Sequence, residues 1–273
     1  MRHLFHLGAR MPLAVLHALG VVLGWLTFLG SPLYRRRLLA NARLAQQPLG
    51  VALQSVGQAG RMVAELPRLW LGAPVPVRWD GVVHIDAALA SGRGMLFLTP
   101  HLGCFEVTAQ AYAARFGAVK PMTVLYRPSR QPWLRGLVDE TRERPGLRTA
   151  ATTLSGVRQL IGALKAGEAV GLLPDQVPPL GLGVWAPFFG QDAYTMTLSA
   201  RLARSADATV LLSWGERLSW GRGYVIHVRP LGADLPTEPQ AAASVINAAM
   251  ESLVRESPAQ YLWSYDRYKA PRK

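Results

Sequence analysis

Met95-Leu96-Phe97-Leu98 is an unbroken apolar run, closed by Gly92 and Gly94 before it and Pro100 after it. A short apolar run with such breakers predicts a strand buried on both faces, as in a parallel sheet. Residues 120–126 and 169–173 predict two further strands of the same kind. Helical segments fall between them. Residues 107–116 predict a helix stopped at Gly117, and residues 132–143 predict another. In Leu154–Lys165 the apolar residues Leu154, Val157, Leu160, Ile161 and Leu164 share one helical face. Thr152 or Thr153 can cap that helix, and Gly167 can end it. Earlier in the chain, residues 38–73 read as helical with a break at Pro48 and Gly50. Residues 74–79 read as extended, Asp80-Gly81 as a turn, and residues 84–91 as a short helix. Later, residues 194–206 predict a helix. Residues 209–214 and 224–228 predict strands paired across Gly221-Arg222-Gly223. Thr237 would cap a last helix ending near Glu256. Alternating strands and helices predict an α/β fold with a mostly parallel central sheet flanked by helices. Residues 177–193 read as a loop rich in Pro and Gly. It carries Val184, Trp185, Pro187, Phe188 and Phe189, so it would cover a pocket, touch a membrane or plug the core.

The N-terminal pattern differs. Residues 11–34 contain no charged side chain. Crossing the hydrocarbon core takes about 20 residues, so residues 1–34 are expected to form a hydrophobic membrane helix and residues 35–273 the main domain. Arg2 and Arg10 precede the segment, and Arg35, Arg36, Arg37 and Arg43 follow it. The heavier C-terminal flank predicts a main domain on the cytoplasmic side. Trp25 and Tyr34 suit an interface. Pro12, Gly20, Gly24, Gly30 and Pro32 weaken a straight span. A helix lying in the membrane plane and a buried helix of the main domain are alternatives. A cleaved signal peptide is another, but no small-x-small site follows the apolar run.

Composition narrows the class. Half of the residues are apolar and 17% are charged, which excludes disorder. The net charge of +13 favours an acidic partner. Nucleic acid is not expected, because the basic residues are spread along the chain and no recognition motif appears. A single cysteine, Cys104, excludes an intrachain disulfide. No Cys/His spacing predicts a metal site. No Walker A or dinucleotide fingerprint is present, and Gly92-Arg93-Gly94 precedes a strand rather than following one. No cofactor is expected.

Three predicted strands end in polar residues: His101, Arg127, and Asp175 with Gln176. In a parallel sheet these ends share one edge, where ligands bind. Glu106 follows His101 by five positions. On a helix that spacing separates side chains by about 140°, so the two can meet only if His101 stands in the turn before the helix. The carboxylate would then fix the imidazole tautomer and leave the other nitrogen free to take a proton. Cys104 lies between them, as a nucleophile or as a space-filling thiol.

These residues resemble the H-x4-D/E motif of the lysophospholipid acyltransferase superfamily. More closely, the chain resembles the bacterial lipid A biosynthesis acyltransferases that transfer lauroyl or myristoyl chains. The likeness runs through the arginines and Asn41 after the apolar segment, His101 to Glu106, Tyr126-Arg127-Pro128, and Leu164-Lys165-x-Gly167-Glu168 up to Asp175-Gln176. It continues with Pro187-Phe188-Phe189-Gly190, Thr195, Leu202-Ala203-Arg204, Pro258-x-Gln260-Tyr261-Leu262-Trp263 and Arg267-Tyr268-Lys269. The resemblance implies a glycerolipid-acyltransferase-like fold at the cytoplasmic face of the inner membrane. It implies His101 as general base and Glu106 as its partner. The base would direct a lipid hydroxyl onto the thioester of an acyl carrier protein, with acyl-CoA as the alternative donor. It implies Arg127 as a phosphate or oxyanion ligand and Asp175 and Gln176 as site-lining residues. Phe188 and Phe189 would border an acyl channel, and Arg204 would contact anionic headgroups or stand solvated. The implied acceptor is a lipid A precursor or similar glycolipid. A lysophospholipid, an aminolipid, or a non-catalytic membrane-binding role on the same fold are the alternatives.

Overall fold

The structure, a computed structural model, describes residues 2–126 and 144–272. The apolar run is strand β2 (Met95–Leu98), and all four residues are buried. Side chains alternate across a strand. Leu96 and Leu98 therefore join one apolar cluster and Met95 and Phe97 the other, on opposite faces of the sheet. This two-sided burial is why the sequence shows a continuous run rather than alternation. In parallel register, β2 pairs with β5 (Ala169–Leu172) and β8 (Thr209–Arg217). Next, β5 pairs with β3 (Met122–Tyr126), which pairs with β4 (Leu147–Ala151). On the other side, β9 (Tyr224–Pro230) pairs antiparallel with β8 and parallel with β1 (Val77–Asp80). The seven-stranded order is β1-β9-β8-β2-β5-β3-β4. The mixed α/β fold with a mostly parallel sheet matches expectation.

Helices α6 (Val82–Ala90), α7 (Phe105–Phe116), α8 (Leu154–Lys165) and α10 (Pro239–Glu256) match predicted segments. The Thr153 hydroxyl accepts from the amide of Gly156 and caps α8. Glu238, not Thr237, caps α10 through the amides of Gln240 and Ala241. Three expectations need correction. Strand β4 was not foreseen, because Leu147–Ala151 carries Arg148 and two alanines in place of an apolar run. The predicted loop 177–193 contains a β-hairpin, β6 (Gly183–Phe188) and β7 (Gln191–Met196). The predicted helix from residue 194 begins only at Leu198, as α9 (Leu198–Ser205). Alternating Ala193 and Thr195 point into the protein, and Phe189 and Gly190 turn the hairpin with positive φ. A period of two was present but hidden by Pro and Gly. The predicted helix 132–143 lies outside the described residues.

The N-terminal region forms α1 (Arg2–Arg10), α2 (Leu13–Gly30), α3 (Pro32–Leu44), α4 (Leu49–Ala64) and α5 (Leu66–Leu71). The apolar helix α2 packs along α4 through glycines. A Cβ on Gly60 would lie 1.8 Å from the carbonyl oxygen of Gly20, and one on Gly24 would lie 2.2 Å from that of Val56. The helices touch backbone to backbone there. The opposite stripe of α2 is exposed: Val15, Leu19, Val22, Leu26 and Leu29. Arg35 caps the helix end by donating to the carbonyls of Phe28 and Leu29.

A buried ion pair joins this region to the sheet. The Glu65 carboxylate accepts from Arg217 Nε at 2.8 Å and Nη2 at 2.5 Å, from His17 Nε2 at 3.0 Å and from the Tyr224 hydroxyl at 2.8 Å. Glu65 is 0% exposed and Arg217 3%. Burial alone would raise the Glu65 carboxyl, but the charge and hydrogen bonds of Arg217, with those of His17, hold it at about 2. A depressed carboxyl contributes stability that is present above its ordinary value and lost as pH falls through about 2. Glu65→Gln should therefore cost about 3–5 kcal/mol at pH 7, because Arg217 is left buried without its counter-charge. It should also flatten the acid limb of the stability curve below about pH 4.5, which denaturant titrations at several pH values would check.

Candidate active site

Sheet register builds the site. Leu98 of β2 stands opposite Leu172 of β5. His101 and Asp175 each lie three residues further on, so the two strand ends deliver them side by side. His101 Nδ1 donates to Asp175 Oδ1 at 2.7 Å, and the His101 amide donates to Asp175 Oδ2 at 2.8 Å. The Tyr261 hydroxyl adds a third bond to Oδ2 at 3.3 Å. With Nδ1 protonated, Nε2 carries the lone pair. It accepts from the Gln176 amide nitrogen at 2.9 Å. The imidazole also meets the Phe105 ring edge-on at 5.0 Å between centroids. The His101 side chain is 14% exposed, and that of Asp175 is 2% exposed. Burial would raise the Asp175 carboxyl, but His101 by charge and by two hydrogen bonds, with Arg267, holds it below its ordinary range.

The turn carrying His101 is held along its backbone. The Leu262 amide donates to the His101 carbonyl, and the Gly103 amide to the Gln260 carbonyl. The Cys104 amide donates to the Gly215 carbonyl on β8. Gly103 has φ +60, and a Cβ there would lie 2.0 Å from the Gly215 oxygen. Glycine alone fits that approach.

Glu106 falls in the first turn of α7, as its spacing requires. It was expected to reach back to the imidazole and fix its tautomer. The carboxylate at Nδ1 is instead Asp175, 74 residues beyond His101. Glu106 accepts from the Trp70 indole at 3.2 Å, and its charge partly offsets the burial that lowers the pKa of the Arg144 guanidinium. Asp175 and Gln176, expected to line a substrate site, each bond one nitrogen of the His101 ring. Arg127 lies outside the described residues. Phe188 is buried beneath the Arg267 guanidinium. Phe189 is partly buried and stacks edgewise on Phe188 and against Trp263. Arg204 is exposed and donates to the Pro236 carbonyl. Tyr261 and Arg267 were not foreseen at the site. Their signal was their place in the ordered motifs Pro258-x-Gln260-Tyr261-Leu262-Trp263 and Arg267-Tyr268-Lys269. Arg267 donates to the Tyr194 carbonyl and to Thr195 Oγ1, pinning that tail to β7.

The sequence profile of the bacterial lipid A biosynthesis acyltransferases matches residues 7–270. The chain belongs to that family. It is therefore an acyl-transferring enzyme of lipid A biosynthesis. It is 28% identical to the lipid A biosynthesis palmitoleoyltransferase of Escherichia coli K12 over 222 residues, 81% of this chain and 69% of the relative. It is 29% identical to the lauroyltransferase of the same organism over 223 residues, 79% and 70% respectively. A lipid A biosynthesis acyltransferase of Haemophilus influenzae is 26% identical over 183 residues, 67% and 56%.

For this acyltransferase the nucleophile question turns on Cys104. The thiol is 1% exposed, and burial, followed by the Glu65 charge, pushes its pKa well up. A neutral buried thiol is a poor nucleophile. Native enzyme at pH 8 should resist maleimide over hours and react within minutes in denaturant. Mass spectrometry of the labelled fraction would check this, and Cys104→Ala should keep transfer activity.

Proposed function

We propose that the enzyme is a membrane-associated O-acyltransferase. It moves a fatty acyl chain from the thioester of acyl carrier protein, or of coenzyme A, to a hydroxyl of a lipid A precursor or similar glycolipid. The observation that carries the reading is the oriented imidazole at the carboxyl edge of the sheet. Its Nδ1–H is held by a buried carboxylate, so Nε2 is the basic nitrogen. The acceptor hydroxyl takes the place of the Gln176 amide and donates to Nε2. As its oxygen attacks the thioester carbon, the proton passes to Nε2. The resulting imidazolium is stabilised by Asp175. The tetrahedral intermediate then expels the thiolate, which takes the proton from Nε2 and leaves as thiol. Glu106, the carboxylate of the H-x4-E motif, is the proposed second acidic group of the site, held at its edge by the Trp70 indole. Arg127 is the proposed ligand for the oxyanion or a lipid phosphate. Phe188 and Phe189 lie on the side of the acyl chain, and Arg204 faces headgroups.

The same reading puts the chain at the cytoplasmic face of the inner membrane. Support comes from the exposed apolar stripe of α2, flanked by Arg35, Arg36 and Arg37, on a protein of net charge +13. The close seating of α2 on α4 favours a helix lying in the membrane plane over one that crosses it. Crossing would draw α4, with its polar residues Gln54 and Gln58, to membrane depth.

His101→Ala and Asp175→Asn should each lower transfer from labelled acyl carrier thioester by about 10²-fold or more, and Glu106→Ala by a comparable factor. Folded His101→Ala with wild-type turnover would refute the base assignment. Identification of the labelled lipid decides the acceptor: labelled phosphatidic acid in place of a lipid A species would move the reading to a lysophospholipid substrate. For the membrane, Leu26→Glu with Leu29→Glu should abolish sedimentation with anionic vesicles while leaving the fold intact. Unchanged sedimentation would show that another surface binds.

A further inference from the structure

We infer that Arg217 and Glu65 are positioning residues for the His101 turn, and that His17 makes the seating of the apolar helix α2 part of the same device. The inference rests on the acyl-transfer reading above. The Arg217 guanidinium divides its donors among three acceptors. Nε and Nη2 go to Glu65, Nη1 to Gln58 Oε1 at 3.0 Å, and Nη2 also to the Gly103 carbonyl at 3.0 Å. That carbonyl lies two residues past His101. Asp175 holds the amide of His101, so the turn is clamped at both ends by buried charge. Gln260 tightens the far clamp. Its side chain bonds both the amide and the carbonyl of Arg217, and its own carbonyl accepts from the Gly103 amide. His17 reaches the cluster from α2, and its Nε2–H donates to Glu65. His17, Glu65, Arg217 and Tyr224 are each 3% exposed or less.

Stability does not explain this arrangement. Desolvating two charges is costly, and packed apolar residues of similar volume commonly serve a core as well or better. What an apolar replacement could not supply is a directed donor on the Gly103 carbonyl. The cluster is also the polar link between α2 and the turn: α2 to Glu65 through His17, Glu65 to Arg217, Arg217 to Gly103. A shift in how α2 is seated therefore reaches the base through three bonds.

The test uses full-length enzyme reconstituted with lipid, with turnover, KM for the acyl thioester and the thermal midpoint measured together. Arg217→Lys keeps the charge but cannot hold the planar set of bonds. It should lower kcat by about 10- to 100-fold, since displacements near 1 Å cost that much, with KM within about 2-fold of wild type. His17→Ala should lower kcat by about 5-fold, the loss of one hydrogen bond. His17→Gln, whose amide can donate to Glu65, should recover most of it. Folded Arg217→Lys with unchanged kcat overturns the inference. So does a His17→Gln variant no better than His17→Ala, which decides alone if Arg217→Lys fails to fold. If His101→Ala turns over like wild type, the acyl-transfer reading fails instead, and these variants then have no base to position.

Discussion

Asp175 accepts three hydrogen bonds in a site that water barely reaches, and two of them come from His101. A carboxylate so buried is tolerable only because each bond is made to its charged form. Its placement follows from strand register. β2 and β5 run side by side with Leu98 opposite Leu172. A slip of one residue would turn every apolar side chain of either strand to the wrong face. The two core clusters on the faces of the sheet therefore fix the distance between base and carboxylate. The hydrophobic effect sets the chemistry at one remove.

The second buried carboxylate works by the same rule from the other side of the turn. Glu65 and Arg217 are 152 residues apart and meet because α4 ends against the last residue of β8. Around them the structure tolerates unusual closeness. Gly20, Gly24 and Gly60 let α2 and α4 touch backbone to backbone, and Gly103 lets the His101 turn rest on β8. Small residues, buried ions and a positive-φ turn thus serve one end: bringing an apolar helix, a sheet edge and an imidazole into a fixed relation.

The alternation of apolar runs and helical periods was enough to predict the α/β class and the central strands. It worked because β2 and β5 lie in the middle of the sheet, covered on both faces, and carry no polar side chain. It failed at β4, which lies at the sheet edge and carries Arg148, and at the hairpin of β6 and β7, where Pro and Gly mask a period of two. His101 was readable as a candidate because it follows a strand end directly. Its partner was not. The spacing of His101 and Glu106 is local and invites a pairing, whereas Asp175 meets the imidazole through a sheet register that no local pattern contains.

The sequence by itself determined the fold class, the strand ends that form the edge of the site, the apolar N-terminal helix and family membership. Each rests on local composition or on an ordered set of motifs. Only the tertiary structure decided that Asp175 holds Nδ1, that Gln176 meets Nε2, that Tyr261 bonds Asp175 while Arg267 ties the tail to β7, and that Arg217, paired with Glu65, bonds the Gly103 carbonyl. Those choices depend on contacts across tens to more than a hundred residues. Such contacts are made by burial and register, and a charged side chain in the sequence looks the same whether it meets water or its one buried partner.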